Sequence, residues 1–201
     1  KKLILMGIIS SLLFACKNKD EKPAQQAETL ITQQIQQVEN NRMNEETLWY
    51  FGRISDARLS PDKSKLLFGV TFFDIQQNKG NREIFVLDMK SKEKKNITNS
   101  VGNEQNCIWR PDGKKIGFLY PDDNGTYQLF EMNPDGSERR AISKIETGIN
   151  GFLYSPDGKR VCYISDIPKT PGTKDLHPEL PLANARIIDD LMYRHWDSWV
   201  E

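Results

Sequence analysis

After Leu48 the chain alternates short apolar runs with clusters of turn residues. The stretch from 105 to 143 parses most simply. Gln105 to Arg110 reads as a strand, Pro111-Asp112-Gly113 as a turn, and Lys115 to Tyr120 as a second strand. Asp122-Asp123-Asn124-Gly125 turns the chain again into a strand from Thr126 to Met132. Asn133-Pro134-Asp135-Gly136 then leads to a fourth strand, Glu138 to Ser143. Each turn has a physical basis. Proline presets φ near −65°, glycine accepts the positive φ of a tight hairpin, and Asp or Asn bonds its own nearby backbone.

The same scheme recurs. Ser60-Pro61-Asp62-Lys63, Arg110-Pro111-Asp112-Gly113 and Ser155-Pro156-Asp157-Gly158 each precede a basic residue and an apolar run, and successive prolines lie 50 and 45 residues apart. The first repeat predicts strands at Ile54–Leu59, Leu66–Phe73, Arg82–Met89 and Lys95–Thr98. Its turn carries Lys63 where the others have glycine, which predicts local strain. The third repeat predicts strands at Gly151–Tyr154 and Arg160–Ser165. Asp166 to Ala183 follows as a long loop with Pro168, Pro171, Pro178 and Pro181, and regular texture resumes at Ala185–Asp189 and Leu191–Val200. A four-stranded meander repeated at this period cannot bury both faces alone, so its copies stack radially. The expected fold class is all-β, a partial β-propeller of four-stranded antiparallel blades, about three of them. The pattern breaks off mid-repeat, and a truncated chain is inferred.

The start of the chain has a different texture. Lys1-Lys2 is a basic region, Leu3 to Phe14 an apolar one too short to span a bilayer, and Leu13-Phe14-Ala15-Cys16 a lipobox. Residues 1–15 are expected to be a lipoprotein signal peptide, with Cys16 as the lipidated first residue of the mature chain. That places the protein in a bacterial cell envelope, held to a membrane by acyl chains. Residues 16–44, rich in Lys, Gln, Glu and Asn, read as a tether, in which Leu30, Ile31, Ile35 and Val38 admit a short helix. Residues 45–201 form the incomplete propeller.

Charge and cysteine content narrow the chemistry. Lys+Arg and Asp+Glu both total 28, so there is no basic excess to support a nucleic-acid partner. Lys90 to Lys95 reads as a solvated hairpin end. Cys107 and Cys162 sit at different offsets from their turns and read as two strand-buried free thiols. With no Cys/His cluster, neither a structural zinc nor any cofactor is expected. The only histidines are His177, expected to face solvent in the proline-rich loop, and His195, expected to be packed or hydrogen-bonded.

Two segments carry a resemblance. Met43-Asn44-Glu45-Glu46-Thr47-Leu48-Trp49-Tyr50-Phe51-Gly52-Arg53-Ile54-Ser55-Asp56-Ala57-Arg58-Leu59-Ser60-Pro61-Asp62 resembles the start of the propeller in prolyl oligopeptidase-family serine peptidases, nearest the dipeptidyl-peptidase and acylaminoacyl-peptidase branches. Asp190-Leu191-Met192-Tyr193-Arg194-His195-Trp196-Asp197 resembles a later segment of that branch. The resemblance implies an exported peptidase that hydrolyses peptides, with the propeller gating a downstream α/β-hydrolase domain that holds the catalytic Ser, Asp and His. The Gly-x-Ser-x-Gly turn of such a domain is absent from these residues, so no catalytic residue is assigned. The loop from Asp166 to Ala183 is the best candidate for a binding group at the propeller face. Pro-Asp-Gly hairpins also occur in TolB-like periplasmic propellers, so a non-enzymatic envelope propeller that binds a protein partner remains the alternative.

Overall fold

The computed structural model of the protein describes residues 30–33, 42–167, 171–183, 185–188, 194–196 and 198–199. The expected signal peptide, Cys16, and most of the tether lie outside them. Residues 30–33 are not helical, and the rest of the expected short helix lies outside the described residues.

A four-residue helix, α1 (Thr47–Tyr50), leads into the first blade, its first N–H received by Asn44 Oδ1 at 2.8 Å. That blade is β1 (Arg53–Leu59), β2 (Lys65–Asp74), β3 (Lys79–Asp88) and β4 (Lys94–Asn96), antiparallel neighbours in chain order. The second blade repeats it with β5 (Gln105–Trp109), β6 (Ile116–Pro121), β7 (Tyr127–Met132) and β8 (Arg140–Ala141). β9 (Gly151–Tyr154) and β10 (Val161–Ile164) pair as the first two strands of a third. After them come the short helix α2 (Thr173–Leu176) and a hairpin of two-residue strands, β11 (Arg194–His195) and β12 (Ser198–Trp199). The expected strand at Ala185–Asp189 is not formed over its described residues, 185–188.

The Pro-Asp turns share one geometry. The N–H of Lys63, Gly113 or Gly158 closes on the carbonyl of Ser60, Arg110 or Ser155, each at 2.8 Å. φ at these three residues is 61°, 68° and 67°. The aspartate one position earlier accepts the N–H two residues on, Ser64, Lys114 or Lys159, at 3.0–3.1 Å. Lys63 thus holds the left-handed conformation its glycine counterparts adopt freely. The fourth such turn, Asn133 to Gly136, matches with φ of 91° at Gly136.

The second blade buries both faces against its neighbours. Leu67, Ile84, Val86 and Ile97 of the first meet Cys107, Trp109, Ile116, Phe118 and Met132 of the second. Ile108, Leu119 and Leu129 of the second blade meet Ile149 and Phe152 on the far side. Successive residues of β5 therefore point into two different cores, which is why Cys107-Ile108-Trp109 is an unbroken buried run. Each fully buried side chain of this size contributes about 1.5–3 kcal/mol.

The outer strands end early for a chemical reason. β8 covers two residues where Glu138 to Ser143 was expected. Ile142 still donates to the Leu129 carbonyl at 2.8 Å, but the Leu129 N–H turns to the Ser143 hydroxyl instead of a backbone carbonyl, also at 2.8 Å. β4 ends the same way, with the Ile84 N–H on Thr98 Oγ1 at 2.8 Å.

The two cysteines among the described residues are free, as expected, but only Cys107 is buried; Cys162 is exposed, because β10 is the edge of its described two-stranded sheet. His195 also departs from expectation. It is exposed on its two-residue strand, with a T-shaped contact to the exposed Trp196 ring.

Candidate functional site

The inner strands β1 and β5 carry matching irregularities. The ladder to the next strand slips between Ser55 and Arg58 in the first blade and between Gln105 and Ile108 in the second. Asp56 and Asn106, fifty residues apart, sit in these bulges with φ of 53° and 49°. Asp and Asn are the non-glycine residues that best tolerate this conformation. A bulge re-aims side chains, and here both line an open cleft of about 430 Å³ with Thr71, Gly80, Arg82, Asn103 and Gln105.

Arg82 organises one wall of that cleft. Its guanidinium donates to the Asp56 carboxylate, to the Glu104 carbonyl and to Ser55 Oγ, the last at 3.1 Å. Its own N–H reaches Asn103 Oδ1 at 2.7 Å. Gly69 makes room, since a Cβ there would collide with the guanidinium. Arg82 thus ties β1, β3 and the linker into the second blade together, with its charge met by Asp56.

Behind this wall lies a buried acid. Glu104 is fully buried, receiving Ser100 Oγ–H and the Arg139 guanidinium, the latter at 3.0 Å. Burial pushes its carboxyl up to about 7, with the nearby Glu83 adding to the rise while Ser100 and Arg139 oppose it. Arg139 in turn lies over the Tyr120 ring, 3.9 Å from its centroid. Burial also raises the Glu83 carboxyl, against bonds from Thr98 and Ser100.

The cleft presents amides, a carboxylate and a held guanidinium. It can hydrogen-bond an extended polar ligand. It holds no nucleophile–base pair: of the histidines, His177 is exposed and paired with Glu179 at 3.0 Å, and His195 is in the terminal hairpin. Cys107, beside the cleft in sequence, is buried and its thiol is pushed up to about 11, a poor nucleophile. Among the described residues no cluster of three or more metal-binding side chains occurs.

The proline-rich segment follows β10, whose last residue, Ile164, pairs with Gly151 at the start of β9. Its described residues are mostly exposed. Asp175 caps α2 by accepting the Gly172 N–H at 2.9 Å, and the Thr173 hydroxyl donates to the Ala185 carbonyl. Pro168 lies outside the described residues. The bulge pair Asp56/Asn106 escaped the sequence reading; their matching offset from the two Pro-Asp turns was the available signal.

Radially stacked four-stranded meanders with inner-strand bulges facing a cleft define a β-propeller. Residues 21–175 match the family model of the TolB beta propeller domain (PD40), and the chain belongs to that family. It is 44% identical over 149 residues to dipeptidyl-peptidase 5 of Porphyromonas gingivalis, an alignment covering 74% of this chain and 22% of the relative. Dipeptidyl-peptidase 5 of Porphyromonas endodontalis is 36% identical over 170 residues, 85% of this chain and 24% of the relative. The chain thus spans about a quarter or less of these curated relatives. Among solved structures, the acylaminoacyl peptidase of Pyrococcus horikoshii superposes with a TM-score of 0.60 at 17% identity, over 78% of this chain and 22% of that one, a likeness of fold.

Proposed function

We propose that this chain is the propeller portion of an exported, lipid-anchored serine peptidase that hydrolyses peptides. The observation that carries the reading is the 44% identity over 149 residues to a dipeptidyl-peptidase, through the propeller itself. In this reading the propeller gates access. A ring of blades leaves a passage that admits peptides and excludes folded proteins. The amide-rich cleft of Asp56, Asn103, Gln105 and Asn106 offers hydrogen bonds to an extended backbone on the way. The proline-rich loop, Asp166 to Ala183, supplies a further binding group. The nucleophile, base and orienting acid belong to a downstream α/β-hydrolase domain, and Cys16 carries the lipid that holds the whole at the envelope.

A second reading is a non-enzymatic envelope propeller that binds a protein partner, favoured by the family's own description as a TolB propeller. Hydrolysis separates the two. The intact protein, given chromogenic dipeptidyl and acyl-peptide substrates, should release the chromophore; complete inactivity across both panels, with the protein folded, supports the binding propeller.

A further inference from the structure

The linker from Ser100 to Glu104 carries the chain from the first blade to the second and is fastened to β3. The Asn81 side-chain amide donates to the Ser100 carbonyl at 2.9 Å. The Arg82 N–H donates to Asn103 Oδ1 at 2.7 Å, the Glu104 N–H to the Arg82 carbonyl at 3.2 Å, and the Arg82 guanidinium to the Glu104 carbonyl. Gly80 and Arg82 of β3 and Asn103 of the linker line the cleft, and Gln105 and Asn106 continue it. The seam between linker and β3 therefore runs through the cleft's wall. Both of its sides belong to the first two blades, where they pack on each other.

Two buried acids meet on this seam. The Ser100 N–H donates to Glu83 Oε1 at 3.2 Å, and the Ser100 hydroxyl donates to Glu104 Oε1. One cation serves both, Arg139, whose Nη1 reaches Glu104 Oε1 at 3.0 Å. The other nearby cation, Arg82, is taken by Asp56. Tyr120 on β6 lies under Arg139, and Tyr127 on β7 interacts electrostatically with Glu104. The bonds Glu104 receives fall on Oε1. Its Oε2 is buried without a partner, as are Asn81 Oδ1 and Arg139 Nη2, so the arginine grips the acid by one prong.

We propose that Glu83 and Glu104 form a proton latch on the cleft: with a proton on the pair the seam stays closed, and with both ionised their repulsion across Ser100 loosens the linker from β3 and slackens the wall that holds an extended peptide. The coupling to peptide rests on the reading of the cleft given above. One arginine balances one carboxylate, and a second negative charge in the same buried site is disfavoured. Glu104 Oε2 is the atom for the proton, since a hydroxyl there removes the ionised oxygen that nothing else meets. The sign follows from linkage. In the closed seam burial, with Glu83 adding, holds the Glu104 carboxyl up to about 7, against its ordinary 4.5. The closed form thus binds the proton more tightly than an open, solvated one. Opening becomes easier as pH rises from about 4.5 to 7 and levels above it.

Two arms test this on the intact protein. The first is hydrogen–deuterium exchange of the segment 100–106, corrected for the intrinsic rate at each pH; it needs neither ligand nor catalysis. Protection should fall at least about tenfold from pH 5 to pH 7. Glu104→Gln, whose amide carries a donor at every pH, should remove most of that fall, and Glu83→Gln, which removes the like charge, should reduce it. The segment should exchange faster than β6 at every pH, the mark of a local opening. Equal protection in the two, no fall in the wild type, or the same fall in Glu104→Gln overturns the latch. The second arm compares KM for a decapeptide, followed by chromatography, with KM for the dipeptidyl chromogenic substrate that shares its first two residues. Their ratio cancels the titration of catalytic groups common to both. From pH 5 to pH 7 the ratio should rise about threefold in the wild type and change by less than half as much in Glu104→Gln. A constant ratio in the wild type overturns the coupling to the cleft. Failure to cleave either substrate counts against the peptidase reading alone, and the exchange arm still decides the latch.

Discussion

Thr98 donates its hydroxyl to Glu83 Oε2 at 2.6 Å while accepting the Ile84 N–H at 2.8 Å. One side chain ends β4 and hydrogen-bonds a buried carboxylate at once. The second blade repeats the device with neutral chemistry: Ser143 donates to Gln128 Oε1 at 2.8 Å and accepts from Leu129. The backbone N–H two residues on, of Ser100 or Ile145, completes each set on the same acid or amide.

Removing either hydroxyl should therefore cost stability, and more in the first blade. Thr98→Val leaves the Ile84 N–H and one oxygen of a buried carboxylate unpaired, a loss of about 1–3 kcal/mol per unsatisfied group. Ser143→Ala leaves a neutral amide oxygen that keeps its bond from Ile145. Urea denaturation of the intact protein should rank Thr98→Val as the more destabilised. The reverse order would show that the charge on Glu83 does not matter.

Glu104 makes stability depend on pH in a defined window. In the unfolded chain its carboxyl titrates at its ordinary 4.5, and in the folded protein at about 7. Between these values the folded state keeps a proton that the unfolded chain has released, so stability falls as pH rises from about 4.5 through 7 and then levels. Asp62 and Asp112, held down to about 2 by Ser60 and Arg110 respectively, act in the opposite sense below pH 4, while Glu83, raised by burial, adds to the decline in the same direction as Glu104. Glu104→Gln should flatten the decline between pH 4.5 and 7 in melting-temperature scans. A slope unchanged by the substitution would assign the dependence elsewhere.

The turns give a paired test. Gly113→Val and Gly158→Val force a β-branched residue to positive φ and should each destabilise by ~1 kcal/mol or more. Lys63→Gly, at the matching position with φ of 61°, should stabilise the first blade by a few tenths to ~1 kcal/mol. Chemical denaturation reads both signs, and a destabilised Lys63→Gly contradicts the turn assignment.

Gly69 is predicted to matter through Arg82. Gly69→Val places side-chain atoms where the guanidinium lies, breaking its bonds to Asp56, Ser55 and the Glu104 carbonyl. It should lower stability by more than the same change at Gly125, where φ is positive, at 81°, but the Cβ position is open within 4 Å. Equal losses at the two sites would leave Arg82 without the assigned role.

The parts of this fold legible in sequence are those written in local chemistry. Pro-Asp-Gly turns and β-branched runs set the strands of the first two blades to within a few residues. What escaped depends on partners distant in sequence. Ser143 looks like one more strand residue until Gln128 and Leu129 are placed beside it. Asp56 and Asn106 read as ordinary strand positions, because their shared offset from the Pro-Asp turns announces a bulge only once the strand registers are compared. Ile31 reads as tether, since a few apolar residues spread among glutamines build no core of their own, and its burial shows only beside the phenylalanines of the first blade. Cys162 reads as buried because its strand is apolar, yet that strand forms a sheet edge. Of the candidate cleft nothing was visible beforehand: the proline-rich loop was the expected binding element, and none of its described residues lines the cleft.

The central claim is that this propeller serves a serine peptidase whose chemistry lies outside these residues. A fluorophosphonate probe tests it most directly. The intact protein should be labelled covalently, and residues 43–201 expressed alone should not. Labelling of the isolated propeller, or an intact, folded protein that never reacts, would contradict the account.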